Sequence, residues 1–530
     1  MLKMPLACHG RPERRALAPL DRRAFLCLAA AQAGAEALIP RAWAQGRSSI
    51  SLAFPTDVPT WDPNARVLAG AQSLYKCVFD SPMTQAPDLS VEPSFVKNWR
   101  YRDAASLALE LELRDDAFFH NGDPVTAEDF RYTFFERLTA PVPSGGQKLD
   151  LTFIWRRVKD IEIVSPTRVV MHFSEVMPSA VTWLYFLGSY VVPKNYMQKA
   201  GLDGFLKAPV GSGPYRLAEY ERGARIVLEA HDKFWKGPPK IKRVTIEIVQ
   251  DPSARVASID GRRVDLAVDL PIREVIRIGR EQGVVGSIDS VTDIVNIMVT
   301  RTGLFEREEV RLAAHHAIDK KAISNALFSG KAMPIDVPAA HGTPGYPEDF
   351  HFPYDPNKAS ELLRSAGFSP SQPARIGFNT LRGFSPNDFE TAQAIVAMWK
   401  KVGIEAKLEV IEPSKYQELL RANKLPEAMQ YPWGNTAGDP EMYGGYLLDP
   451  KSIFSAWKSD DMGERIHKLL VETDPEKRYA GYRDANIYAV QKGYVIPLFQ
   501  SIKTVAYTAS LGFTKYGNGW ILPQSYALKA

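Results

Sequence analysis

Two apolar, β-rich runs far apart in the chain, at 294–300 and 495–499, bracket a segment in which helical and extended patterns alternate. This bracketing constrains the fold more than any other feature. Between 308 and 328, Val310, Ala314, Ala317, Ile318 and Ala322 recur at helical spacing, and 359–366 repeats the pattern before Gly367. A third helix is predicted over 391–402, stopped by Gly403 and followed by an alternating strand at 404–411. A chain that leaves one lobe along the first run and returns along the second passes between its halves twice. Two crossings make a hinge.

The part before the first run is also mixed. Leu107, Leu109, Leu111 and Leu113 alternate with Glu110 and Glu112 on the other face, as in a half-exposed strand. A turn at Asn121-Gly122-Asp123 follows, and Thr126 with Glu128 and Asp129 then reads as the start of a helix carrying Phe130, Phe134 and Phe135. Further strands are expected at 161–164, 169–173, 226–229, 244–248 and 264–268, with a helix at 253–259. The fold class is therefore α/β with a mixed sheet. No internal repeat is apparent.

Residues 1–44 read as an address. Arg22-Arg23-Ala24-Phe25-Leu26 opens an apolar run too short to span a membrane, interrupted by Gln32 and Glu36 and ending in Ala42-Trp43-Ala44. Paired arginines before a weakly hydrophobic stretch point to twin-arginine export, and hence to a periplasmic product. This segment holds seven Lys/Arg against three Asp/Glu, which accounts for the whole formal charge of +4. A body with balanced charge lacks the basic footprint of a nucleic-acid binder. Cleavage would leave Cys77 as the one cysteine, so no internal disulfide is expected.

The motifs of common enzymes are absent: no Walker A loop, no G-x-S-x-G, no H-E-x-x-H and no C-x-x-C. Gly211-Ser212-Gly213-Pro214 is Gly-rich, but proline removes an amide and no lysine follows, so it reads as a structural turn. His315 and His316 are adjacent on a helix, about 100° apart around its axis, and do not converge on one ion. No catalytic residue, metal site or cofactor is assigned.

Five ordered stretches carry a resemblance. They are 113–129 with Phe118-Phe119-His120-Asn121-Gly122-Asp123, 208–215, His231-Asp232-Lys233-Phe234-Trp235, 310–320, and Tyr354-Asp355-Pro356-Asn357-Lys358 through Gly367. Together they resemble the family 5 extracytoplasmic solute-binding proteins of ABC importers for peptides, nickel complexes and opines. The resemblance implies a periplasmic binding protein-like clamshell of two α/β lobes with an extra N-terminal subdomain. The expected layout is lobe I at 45–293 with the subdomain at about 75–210, lobe II at 294–499, and a return to lobe I at 500–530. It implies a monomer that closes over a small zwitterionic ligand, such as a dipeptide, oligopeptide or amino-acid conjugate, and delivers it unaltered to membrane permease subunits.

The dipeptide-binding branch of that family implies two ligand contacts. Arg382 occupies the place of an arginine on the ligand carboxylate, and Asp439 that of an aspartate on the ligand amino group. A guanidinium offers a planar fork for a carboxylate, and a carboxylate accepts from an ammonium. Trp433 supplies either a flat wall or core packing. The sequence after Asp439-Pro440 departs from the branch pattern at Glu441-Met442-Tyr443, which bears on ligand preference. A nickel or metallophore receptor of the same family is the alternative, and a secreted hydrolase is the reading from another class.

Overall fold

The computed structural model describes residues 47–529 apart from 67–68, 103–106 and 143–147. The export segment expected at 1–44 lies outside the described residues.

Ten strands form one mixed sheet. In chain order they are β1 (Ser49–Phe54), β2 (Tyr215–Glu221), β3 (Arg225–Ala230), β4 (Arg243–Ile248), β5 (Leu266–Val268), β6 (Val284–Val299), β7 (Ala374–Thr380), β8 (Ile404–Val410), β9 (Ala428–Trp433) and β10 (Val495–Thr508). Across the sheet the order is β8-β7-β9-β6-β10-β5-β1-β4-β3-β2. β1 runs parallel to β4 and β5 at one end, and β7 runs parallel to β8 and β9 at the other. Between them lie β6 and β10, antiparallel to each other and by far the longest strands, with 16 and 14 residues. At about 3.4 Å per residue β6 extends for roughly 50 Å, long enough to belong to both lobes. The two apolar runs that bracket the second half are the end of β6 and the start of β10. The expected lobe boundaries at 293/294 and 499/500 fall inside these strands.

The inner strands β1 and β6 are buried on both faces toward their C-terminal ends, whereas the edge strands β2 and β8 carry exposed charged residues. In β1, Ile50, Leu52 and Phe54 enter one core while Ala53 packs into a second with Val256 and Ile259. In β6, Ile297 and Val299 meet Trp399 and Phe378, whereas Ile294 and Met298 face Tyr416 and Tyr443. β6 and β10 change register between Ser290 and Ile294, a local irregularity at the crossing.

The helix expected over 308–328 is two helices, Glu308–His316 and Lys320–Phe328. Asp319 makes the break. Its carboxylate accepts from the Ala322 N–H at 2.8 Å and caps the second helix, an interaction that outweighs continued helical periodicity.

The subdomain expected near 75–210 contains a separate antiparallel sheet in the order Val96–Tyr101, Ala108–Leu113, Arg168–Phe173, Val158–Ser165. Leu109, Leu111 and Leu113 are fully buried, and Glu110 on the opposite face pairs with Arg102 at 2.8 Å. Phe130 and Phe134 pack on those leucines from the helix that starts at Ala127. The Thr126 N–H and hydroxyl both donate to Asp129, at 2.9 and 2.8 Å, which fixes that start. This core also contains Ala437 and Met442, which belong to the loop after β9. The C-terminal tail reaches the same place: the Asn518 side-chain amide donates to Gln85 and to the Thr436 carbonyl, and the Ile521 N–H donates to Ser73.

Candidate functional site

The loop after β9 is held from several sides. The Asn435 N–H donates to the Asp293 carboxylate in β6 at 2.8 Å, and the Asn435 side chain spans the loop to the Asp439 carbonyl and the Gly438 N–H. Gly438 has φ +75°, a conformation that a side chain would strain. From the subdomain, Gln85 donates to the Ala437 carbonyl at 3.1 Å. A loop tied this way presents its next residue, Asp439, in one orientation.

Asp439 is almost completely buried and its carboxylate is filled. Oδ1 accepts from Arg478 Nη2 at 2.7 Å and from the Glu441 N–H at 2.9 Å. Oδ2 accepts from the Thr182 hydroxyl at 3.0 Å and from Arg478 Nη1 at 3.2 Å. Arg478 also pairs with Glu441 at 3.0 Å, so one guanidinium serves two carboxylates. The Asp439, Arg478 and Glu441 side chains are 9%, 5% and 6% exposed. Burial alone would lower the Arg478 pKa, but Asp439 and Glu441 hold it above its ordinary value. Burial raises the Glu441 carboxyl and Asp439 pushes it the same way, against the opposing pull of Arg478. Arg478 stands in the first turn of the helix Pro475–Gln491, which begins where Asp474 caps the Glu476 and Lys477 N–H groups.

This group lies at the wall of a cavity of about 710 Å³. Its other walls come from the subdomain (Leu89, Tyr101, Thr182, Tyr185), from the Gly342–Pro344 turn, and from Tyr479. The volume and the aromatic lining with a few polar groups suit a small organic ligand. Glu441 also faces a second, much smaller cavity of about 30 Å³, room for about one water.

The other two residues singled out by sequence do not line the large cavity. Arg382 is exposed at the end of β7, its guanidinium 3.9 Å from the Phe389 ring centroid, and among the described residues it has no ion-pair partner. Its loop is ordered by Asp388, whose carboxylate accepts the N–H groups of Gly383, Phe384 and Ser385. Trp433 donates its indole N–H to the Met442 carbonyl at 2.6 Å and packs edge-on against Phe454 at 5.6 Å. β7 and β9 are parallel neighbours, so Arg382 and the Asp439 loop leave the sheet at the same edge.

Sequence reasoning missed Arg478 and Thr182. Their partners are 39 and 257 positions away, and no local pattern joins them. Glu441 was visible as a departure from the branch pattern, without its role. His315 and His316 both pack on Phe352, with ring centroids 3.6 and 4.5 Å away, and His316 Nδ1 lies 3.0 Å from the Pro353 carbonyl oxygen. Among the described residues no three His, Cys, Asp or Glu side chains group as metal ligands. Gly211 and Gly213 form a tight turn packed on Val78.

The family described as bacterial extracellular solute-binding proteins, family 5, matches residues 90–454 of this chain. Heme-binding protein A of Haemophilus influenzae is 24% identical over 441 residues, covering 78% of this chain and 79% of that protein. Di/tripeptide-binding protein 2 of Pseudomonas aeruginosa is 25% identical, covering 75% and 78%. Among solved structures, the periplasmic binding protein DppA of Helicobacter pylori in complex with the peptide STSA superposes with a TM-score of 0.79 at 19% identity. That alignment covers 91% of this chain and 98% of the other.

Proposed function

The chain belongs to the bacterial extracellular solute-binding proteins, family 5, and from that premise we propose that it is the periplasmic receptor of an ABC importer for a peptide-sized ligand. The observation that carries this reading is the cavity of about 710 Å³ beside Asp439, walled by lobe and subdomain together. A ligand that touches both walls stabilises their closed arrangement more than the open one, and that difference alone shifts the population. The permease then receives a loaded, closed protein. The reading needs no bond making or breaking, and the ligand leaves unaltered.

Dipeptides, short oligopeptides and amino-acid conjugates fall in the matching size range. The exposed guanidinium of Arg382, without an ion-pair partner among the described residues, supports the carboxylate half of the expected zwitterion, since lobe closure would bring ligand toward the edge where Arg382 stands. Delivery by the twin-arginine route and a monomeric state belong to the same proposal.

A thermal-shift screen of dipeptides, opines, free amino acids and nickel chelates tests it. A ligand at a hundred times its Kd adds about 2.7 kcal/mol to stability and raises the melting temperature visibly. Stabilisation by peptide-sized carboxylates supports the proposal. Stabilisation by nickel chelates alone would replace the ligand class, and turnover of a peptide panel at enzymatic rates would replace the function.

A further inference from the structure

The Asp439 end of the cavity supplies its own cation. A carboxylate offers about four acceptor positions, and Asp439 already receives two from Arg478, one from Thr182 and one from the Glu441 N–H. A ligand ammonium would have to displace one of these donors and sit beside a buried guanidinium of the same sign. Arg478 has little freedom to withdraw. It is anchored in a 17-residue helix, it also holds Glu441, and its departure would leave two buried carboxylates without a counter-charge. The wall beside this group carries Leu89, Val181, Tyr101, Tyr185 and Tyr479; the other carboxylate of the lining, Asp88, is exposed to solvent and accepts from the Ser90 N–H and hydroxyl at 3.0 and 2.6 Å.

We propose that Arg478 is a resident counter-ion standing where a ligand ammonium would otherwise bind, so that this receptor selects ligands whose end in the cavity is uncharged. The class is N-acylated amino acids and peptides, or conjugates with the amine otherwise blocked, in place of free dipeptides. This rests on the cavity being the ligand site, and it narrows the expected zwitterion to its carboxylate half.

The test is calorimetry on the purified protein at pH 6.5, where a free peptide amine is charged. It compares matched pairs of dipeptides with free and N-acetylated amino termini. The acetylated member is expected to bind wild type at least tenfold tighter, and Arg478→Gln, or the double variant Arg478→Gln/Glu441→Gln if the single one folds poorly, is expected to reverse the preference. Tighter binding of the free member to wild type, lost in Asp439→Asn, would overturn the proposal. If no member of any pair binds wild type, the peptide reading of the cavity fails while this inference is still decided by butylammonium chloride. Stabilisation of the Arg478 variants but not of wild type upholds the resident counter-ion, and equal behaviour removes it.

Discussion

Arg382 and Asp439 illustrate how two residues with complementary charge can differ in availability. Arg382 has no ion-pair partner among the described residues, so a ligand carboxylate is free to engage it. Arg382→Ala is therefore expected to weaken binding of a carboxylate ligand by about 3 kcal/mol, on the order of a hundredfold, because closure would bury an unpaired charge. Calorimetry showing unchanged affinity removes Arg382 from the site. Asp293 gives a second expectation, in pH. Burial raises its pKa to about 6, against the Asn435 N–H bond and the charge of Lys503. A carboxyl whose folded value lies above the unfolded value of about 3.9 resists ionisation, so its contribution to stability is full below about pH 4 and is lost as pH rises through 6. Between pH 7 and 5 the urea midpoint of wild type should gain on that of Asp293→Asn. A constant difference would show that Asp293 ionises normally.

At the scale of elements, much was legible because local pattern decides it. Alternating leucines before an Asn-Gly turn and Thr126 ahead of Asp129 specify a strand and a helix start, and both formed. The helix break at Asp319 was overlooked because apolar spacing continues across it while a single capping carboxylate ends it. The Arg478 contacts were illegible for a different reason: the helix Pro475–Gln491 reaches Asp439 and Thr182 only through the tertiary fold. The turn at 211–213, read from sequence as structural, packs its glycines on Val78. A Cβ on Gly211 would lie 2.1 Å from the Val78 carbonyl oxygen, with rigid backbone on the other side. Gly211→Ala is thus expected to destabilise the protein by about 1–3 kcal/mol, measured by chemical denaturation, without altering ligand preference. An unchanged midpoint would mean that the turn yields easily.

At the scale of the whole molecule, the long antiparallel pair β6 and β10 lies between the two parallel parts of the sheet, and its register change near Ser290 sits beside the loop that presents Asp439. Motion about these strands would couple closure to the cavity wall. Small-angle scattering should show a smaller radius of gyration with a verified tight ligand than without one, and superimposable curves would count against closure. The shared strands have another consequence. Most multidomain chains can be cut at a linker into pieces that fold alone, but here a division between the lobes severs a hydrogen-bonded ladder and leaves raw β edges on both fragments. Split halves produced separately should be sticky and poorly soluble, and should regain solubility only when made in the same cell.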